Sequence, residues 1–164
     1  MSINIIAAIG KNRELGKNGD LLWRIPEDTK HFKQLTQGST VIMGHSTWKS
    51  IPDRFRPLPD RRNIVISKDK TLQLAGAEVC HSLKEAVDTA KSGSSSDSYI
   101  IGGAQIYAQS LDIADYLYLT IIDDEFTDAD VYFPEYEELF PVVVSVNDSK
   151  DEKYCYSFLK LAKR

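Results

Sequence analysis

The chain has 164 residues, of which 42% are hydrophobic and 27% charged, and its formal net charge is -4. This length suits one domain with a sizeable core, so we expect residues 1–164 to form a single domain, and the composition excludes the disordered and fibrous classes. The net negative charge argues against a protein that holds nucleic acid by neutralising its phosphates.

The N-terminal third predicts a buried strand, a long loop and a helix. Residues 3–9, INIIAAI, form a continuous apolar run that is typical of a strand buried on both faces. Residues 10–23 contain three glycines and two asparagines, which predict a long loop with turn chemistry. Pro26 is well placed to open a helix, and Gly38 is well placed to end it.

The middle of the chain predicts further strands and helices in alternation. TVIM predicts a buried strand that Gly44 breaks before a short helix, and NIVIS and AEVCH predict two more strands. Residues 82–93 predict an amphipathic helix with Ser82 as its N-cap, Glu85 at the capping-box position and Gly93 as its stop.

The last third repeats the strand-to-helix pattern once and then changes to strands alone. SYIIGGAQIYAQSL predicts a strand, a glycine turn and a helix, and YLYLTII predicts the next strand. VVVSV and YCYSFLKLA have no helix between them and predict an antiparallel hairpin. The predicted fold is therefore α/β, with a mostly parallel central sheet, helices on both faces and a C-terminal antiparallel hairpin. The serine-rich residues 92–98 are interpreted as a flexible surface loop rather than a linker.

Asp28 stands out because it shares a predicted helix face with Phe32 and Leu35. An ionised carboxylate in an apolar setting must be paired, protonated or turned toward a ligand. The alternative is a helix rotated so that Asp28 lies at its edge, in water or near the positive end of the helix dipole.

Two glycine turns and a group of arginines are candidate ligand sites. Gly102-Gly103, and Gly44 followed by Ser46 and Thr47, each end a strand and begin a helix, which suits either a simple turn or close approach to an anion. Arg54, Arg56, Arg61 and Arg62 would attract a carboxylate or phosphate, or they form a solvated basic loop.

Six segments, in this order, carry a resemblance that covers nearly the whole chain. They are IIAAIGKNRELG, LLWRIPEDTKHFKQLT, VIMGHSTWKSI, RPLPDRRNIVIS, YIIGGAQIY and YLYLTIIDDEFTDADVYFP. In these segments the chain resembles dihydrofolate reductase. The resemblance implies NADPH-dependent reduction of 7,8-dihydrofolate to tetrahydrofolate, which supplies one-carbon metabolism, with no metal and no covalent nucleophile.

The resemblance also implies roles for individual residues. Asp28 would bond the 2-amino group and N3 of the pterin, Thr120 would bond both the pterin and Asp28, and Arg61 would bind the α-carboxylate of the glutamate tail. The implied catalytic residues are Asp28, Leu21, Trp23 and Thr120. The implied substrate-binding residues are Ile6, Ala8, Asp28, Phe32, Ser50, Ile51, Leu58, Arg61, Ile101, Tyr107 and Thr120.

The implied NADPH site surrounds the two glycine turns, with a cis peptide at Gly102-Gly103. Its residues are Ala8, Ile9, Gly16, Gly44, His45, Ser46, Thr47, Ser67, Lys68, Ile101, Gly102, Gly103, Ala104, Gln105 and Ile106. Residues 10–23 match the mobile lid of the family, and Asp130 lies in the segment that supports it. His45 and Gln105 stand where the family often has cationic residues, whereas Ser67 and Lys68 still match the pocket for the 2′-phosphate of NADPH.

Two other functions share these features. A pyrimidine reductase of riboflavin synthesis has the same fold and cofactor site, but the Asp28 and Thr120 pair with Arg61 favours folate. A catalytically silent nucleotide- or RNA-binding protein on the same fold is the third, and the presence of Asp28, Trp23 and Thr120 together argues against it. Cys80 and Cys155 lack metal-ligand spacing and suit free thiols in a reducing compartment, and no apolar stretch reaches membrane-spanning length. We therefore expect a cytoplasmic protein that binds no membrane and, because of its net negative charge, no nucleic acid. The expected oligomeric state is a monomer.

Overall fold

An eight-stranded sheet forms the centre of the structure, a computed structural model that describes residues 1–93 and 96–164. The strands, in chain order, are β1 Ile3–Ile9, β2 Glu14–Lys17, β3 Asp20–Leu21, β4 Thr40–Gly44, β5 Arg62–Ile66, β6 Ala77–Cys80, β7 Ser98–Gly102, β8 Tyr116–Ile122, β9 Val131–Tyr132, β10 Val142–Lys150 and β11 Cys155–Ala162. The large sheet has the order β10-β11-β8-β1-β7-β4-β5-β6, and only β11 runs antiparallel to its neighbours β8 and β10. The predicted mostly parallel sheet and terminal hairpin are confirmed.

The helices begin and end where the sequence places their caps. They are α1 Pro26–Thr36, α2 His45–Ser50, α3 Leu83–Lys91 and α4 Ala104–Ser110, with a short 3-10 helix at Asp53–Phe55. Gly38 and Gly93 follow α1 and α3 with φ of +76° and +78°, a conformation in which glycine avoids Cβ strain. Ser82 accepts a hydrogen bond from the Glu85 N–H, as predicted, but the Glu85 carboxylate accepts from the N–H of His81.

The helices cover both faces of the sheet, because neighbouring residues of β4 pack on opposite sides. Ile42 lies in the core cluster that contains residues of α3 and α4. Val41 and Met43 pack with Trp48 of α2. No helix of the described residues is long and apolar enough to cross a membrane.

The predicted loop at residues 10–23 contains more structure than its composition indicates. Within it, β2 pairs with β3 and with the distant β9 to form a separate three-stranded sheet. These strands have only two to four residues, so their apolar pattern is too short to predict a strand. Of the predicted serine-rich loop, residues 94–95 lie outside the described residues.

Candidate active site

Asp28 and Thr120 meet at the carboxyl ends of the central strands. Asp28 lies in the first turn of α1, and Thr120 lies on β8 directly beside Ala8 of β1. The Thr120 hydroxyl donates a hydrogen bond to Oδ1 of Asp28 over 2.6 Å. Thr120 is buried and Asp28 is half-buried, so the helix does turn its carboxylate inward.

Burial is the main influence on the charge of Asp28. It raises the pKa of the carboxyl, while the Thr120 bond and the nearby His31 lower that pKa. His31 stacks on Phe158 with ring centroids 4.2 Å apart, and its own partial burial lowers its pKa. Because Asp28 has no ion pair within the part of the chain that the structure describes, its charge is available to a ligand.

Trp23 lies next to this pair, whereas Leu21 does not. The Trp23 indole is buried, packs in one cluster with Ala8 and Phe126, and donates from Nε1 to Asp124 Oδ2 over 3.0 Å. Leu21 is 69% exposed on β3, so the structure places this predicted catalytic side chain on the surface of the lid.

The predicted substrate-binding residues divide into three environments. Ile51, Leu58 and Ile101 pack against the apolar cluster that contains Trp48. The Tyr107 hydroxyl donates to the Ile6 carbonyl over 2.8 Å, and its complete burial raises the pKa of the phenol. Ser50 is exposed and donates to the carbonyl of Thr47.

Three of the four arginines of residues 54–62 have different polar partners. Arg56 pairs with Asp53, and Arg62 binds both carboxylate oxygens of Glu78 at 2.5 and 2.8 Å. Within residues 1–93 and 96–164, Arg61 donates only to the Pro59 carbonyl and the Thr36 hydroxyl, and its guanidinium lies 5.9 Å from the centre of the Phe32 ring. Partial burial lowers the pKa of Arg61. Among the described residues, Arg61 is thus a fixed cation without a carboxylate partner, next to the predicted substrate-binding Phe32.

The two glycine turns face each other across the ends of β4 and β7. A Cβ at Gly102 would lie 3.2 Å from Thr47 Oγ1, and one at Gly44 would lie 3.8 Å from the Gly103 nitrogen. Gly102 has φ of +133°, which favours glycine, and the Gly102-Gly103 peptide is cis as the resemblance implies. Ala104, Gln105 and Ile106 then form the first turn of α4. The backbone is therefore open to a ligand at this point.

The residues that directly follow β4, β5 and β6 lie close together, beyond the glycine turn at Gly44. His45 follows β4, Ser67 and Lys68 follow β5, and His81 follows β6. His81, which the sequence analysis did not place in any site, bonds from Nδ1 to the Ser67 carbonyl at 2.9 Å. Because a carbonyl only accepts, Nδ1 carries the proton and Nε2 is the basic nitrogen. The position of His81 at the carboxyl end of a predicted strand is the signal that could have identified it.

Two predicted cofactor-binding residues, Ile9 and Gly16, have no side chain that could contact a ligand. Ile9 is 1% exposed in the core, so only its backbone is available to a ligand. Gly16 lies in β2, where its carbonyl accepts from the Asp130 N–H. The Asp130 carboxylate in turn accepts from the N–H of Asn18 over 3.0 Å, so Asp130 does contact residues 10–23 as predicted.

Comparison with known proteins gives a consistent result. The family model described as dihydrofolate reductase matches residues 2–163. The chain is 40% identical to the dihydrofolate reductase of Bacillus subtilis, over 99% of this chain and 95% of that protein, and 33% identical to that of Staphylococcus aureus, over 100% and 99%. A solved structure of Enterococcus faecalis dihydrofolate reductase complexed with NADP(H) has a TM-score of 0.89 at 29% identity, covering 99% of this chain and 96% of that chain.

Proposed function

We propose, because the chain belongs to the dihydrofolate reductase family, that its Asp28 and Thr120 hold the pterin of 7,8-dihydrofolate during reduction by NADPH. The family membership makes the chain an NADPH-dependent enzyme and favours folate over the pyrimidine of riboflavin synthesis. The observation that carries the proposed residue roles is the 2.6 Å hydrogen bond from Thr120 to a half-buried carboxylate without a cation partner in the described chain.

Asp28 holds the pterin through charge and hydrogen bonds. Bound NADPH supplies the hydride, which passes from C4 of its nicotinamide to C6 of dihydrofolate, while N5 gains a proton. The ionised Asp28 accepts from the 2-amino group and N3 of the pterin, and its negative charge raises the basicity of N5. Thr120 fixes Oδ1, which orients the carboxylate, and a water admitted beneath the lid delivers the proton. In this scheme Asp28 remains ionised during the reaction.

Arg61 binds the α-carboxylate of the glutamate tail. Arg62 and Arg56 are already engaged by carboxylates of the chain, whereas Arg61 has only neutral oxygen partners among the described residues. Its position over the Phe32 ring joins the carboxylate site to the apolar cleft formed with Ile51 and Leu58. A planar guanidinium suits this two-oxygen recognition.

The two glycine turns bind the diphosphate of NADPH. A Cβ at Gly102 would crowd Thr47, so the glycines leave space for a group next to the N-terminal turns of α2 and α4. His45, Ser67, Lys68 and His81 then face the 2′-phosphate.

Residues 10–23 act as a lid over the cleft, held at Asn18 by Asp130. The further parts of the proposal are that residues 1–164 form one domain and that the protein is a cytoplasmic monomer that does not bind nucleic acid. The eight-stranded sheet supports one domain, because it contains both the first strand of the chain, β1, and the last, β11, and the free thiols of Cys80 and Cys155 suit a reducing compartment.

Oxidation of NADPH by the purified protein, followed by absorbance with dihydrofolate as substrate, tests the activity. We expect turnover with dihydrofolate and none with the ribosylaminopyrimidine substrate of riboflavin synthesis. Turnover of the pyrimidine alone would overturn the proposal. A protein that turned over neither compound would overturn it as well.

A further inference from the structure

Glu14 is a buried carboxylate that the proposed reaction does not use. Only 1% of its surface is exposed, although it belongs to the charged segment KNRELGK near the start of the lid. Glu14 forms no ion pair within residues 1–93 and 96–164. A buried carboxylate without a cation needs hydrogen-bond donors, and the identity of those donors indicates its role.

Both donors are backbone N–H groups, and they come from segments far apart in the sequence. Oε1 accepts from the Asn12 nitrogen and Oε2 accepts from the Phe126 nitrogen, each over 2.6 Å. Asn12 belongs to the turn that begins the lid, and Phe126 belongs to the loop that follows β8. One side chain therefore joins the base of the lid to that loop.

The same loop holds Trp23 at the other end of the lid. Asp124, two residues before Phe126, accepts from the Trp23 indole, and Phe126 packs in the Trp23 cluster. A Cβ at Gly10 would lie 2.5 Å from the Trp23 ring and 2.8 Å from Glu14 Oε1. The indole and the carboxylate thus lie against the same glycine, and a shift of one would displace the other.

We propose that Glu14 is a positioning residue, which fixes residues 124–126 beneath the lid and through them holds the Trp23 indole at the substrate cleft. This inference rests on the proposed role of residues 10–23 as a lid. The charge of Glu14 matters as well as its size, because a carboxylate accepts at both oxygens. A glutamine would place an NH2 group against the N–H of Asn12 or Phe126.

The test compares Glu14→Gln with Asp115→Asn. Asp115 is a matched control, since its carboxylate also accepts a backbone N–H, from Ile3, but at the opposite ends of the strands. We expect Glu14→Gln to slow hydride transfer about tenfold or more in single-turnover experiments with saturating substrate and NADPH. The KM for dihydrofolate should change less than threefold, and Asp115→Asn should change neither value.

Solvent exchange of the Trp23 indole proton, followed by NMR, gives a readout that does not require activity. We expect it to be about tenfold faster in Glu14→Gln and unchanged in Asp115→Asn. Equal hydride-transfer and indole-exchange rates in wild type and Glu14→Gln would overturn the inference. The proposed function would still stand, because it is tested by the wild-type protein.

Amide exchange in the wild-type protein keeps the inference testable if Glu14→Gln does not fold. The N–H of Phe126 should exchange at least tenfold more slowly than the N–H of Asn18, whose acceptor Asp130 is exposed. Equally fast exchange of the two amides would show that Glu14 does not hold the loop.

Discussion

Replacing Asp28 by Asn should change activity and stability in opposite directions. The amide keeps the size of the carboxylate and can still accept from Thr120, but it cannot polarise the pterin by charge. Loss of a preorganised charge of this kind costs about 3–4 kcal/mol of transition-state stabilisation. We therefore expect kcat/KM at pH 7 to fall roughly 10²–10³-fold, with partial recovery at low pH, where dihydrofolate enters already protonated at N5.

The stability change follows from the pKa of Asp28, which burial raises above its unfolded value near 3.8. The folded protein then binds the proton more tightly than the unfolded chain, so stability decreases as pH rises through the folded pKa. At pH 7 the ionised carboxylate is a net cost, and the Asn variant avoids it. We expect the free energy of unfolding to increase at pH 7, and this gain to vanish below pH 3.8, where both the folded and the unfolded carboxyl are protonated.

Glu27, the preceding residue, provides a control with the opposite sign. Its hydrogen bond from Tyr156, together with one from Ser149, lowers the pKa of the Glu27 carboxyl. Glu27→Gln should therefore lose stability at neutral pH, lose nothing in acid, and keep its activity. Denaturant melts between pH 3 and pH 8, with steady-state kinetics, measure all three proteins. Wild-type activity of Asp28→Asn at pH 7, or a loss of its stability there, would refute the reasoning.

Three further predictions concern the remaining parts of the molecule. Arg61→Leu should weaken dihydrofolate binding by roughly 2–5 kcal/mol and hardly affect a pterin without glutamate; equal losses in titrations of both ligands would show that Arg61 is only a surface charge. His45→Arg should tighten NADPH binding, because a planar guanidinium can bind two phosphate oxygens at once, and an unchanged Kd for NADPH would remove His45 from the cofactor site. Ser82→Ala should cost about 1 kcal/mol in thermal unfolding through loss of the α3 cap without changing kcat, and an unchanged Tm would contradict that role.

Local signals predicted the main elements because each carries its own pattern. A few neighbouring residues are sufficient to predict β1 from its apolar run, α1 from its first proline and α3 from its Ser82 cap. The three-stranded sheet is different, since β2 pairs not only with the neighbouring two-residue β3 but also with β9, more than a hundred residues later. No local pattern can indicate such a pairing, and residues 10–23 therefore resemble a plain loop.

For the same reason, local sequence patterns identified some residues of the candidate site and not others. Asp28 was identified as a candidate from its neighbours in the sequence, because a charge on an apolar helix face is unusual. Its partner Thr120 is 92 residues away, so only the family resemblance could identify that residue. Glu14 lies in a sequence segment where charges are common, so nothing local marks it as unusual. One of its two hydrogen-bond donors, the N–H of Phe126, is 112 residues away.

Hydrogen-bond partners distinguish the proposed roles of two carboxylates, the buried Glu14 and the half-buried Asp28. Glu14 has both oxygens engaged by backbone N–H groups, so its acceptor capacity is directed to the protein. Asp28 has one oxygen engaged by Thr120, and its burial is only partial, so the remaining acceptor capacity faces the cleft. A carboxylate can attract a cationic or N–H-rich ligand only to the extent that the fold leaves it unsatisfied. In the proposed complex, the adjacent amino and ring N–H donors of the pterin supply at Asp28 what the N–H groups of Asn12 and Phe126 supply at Glu14.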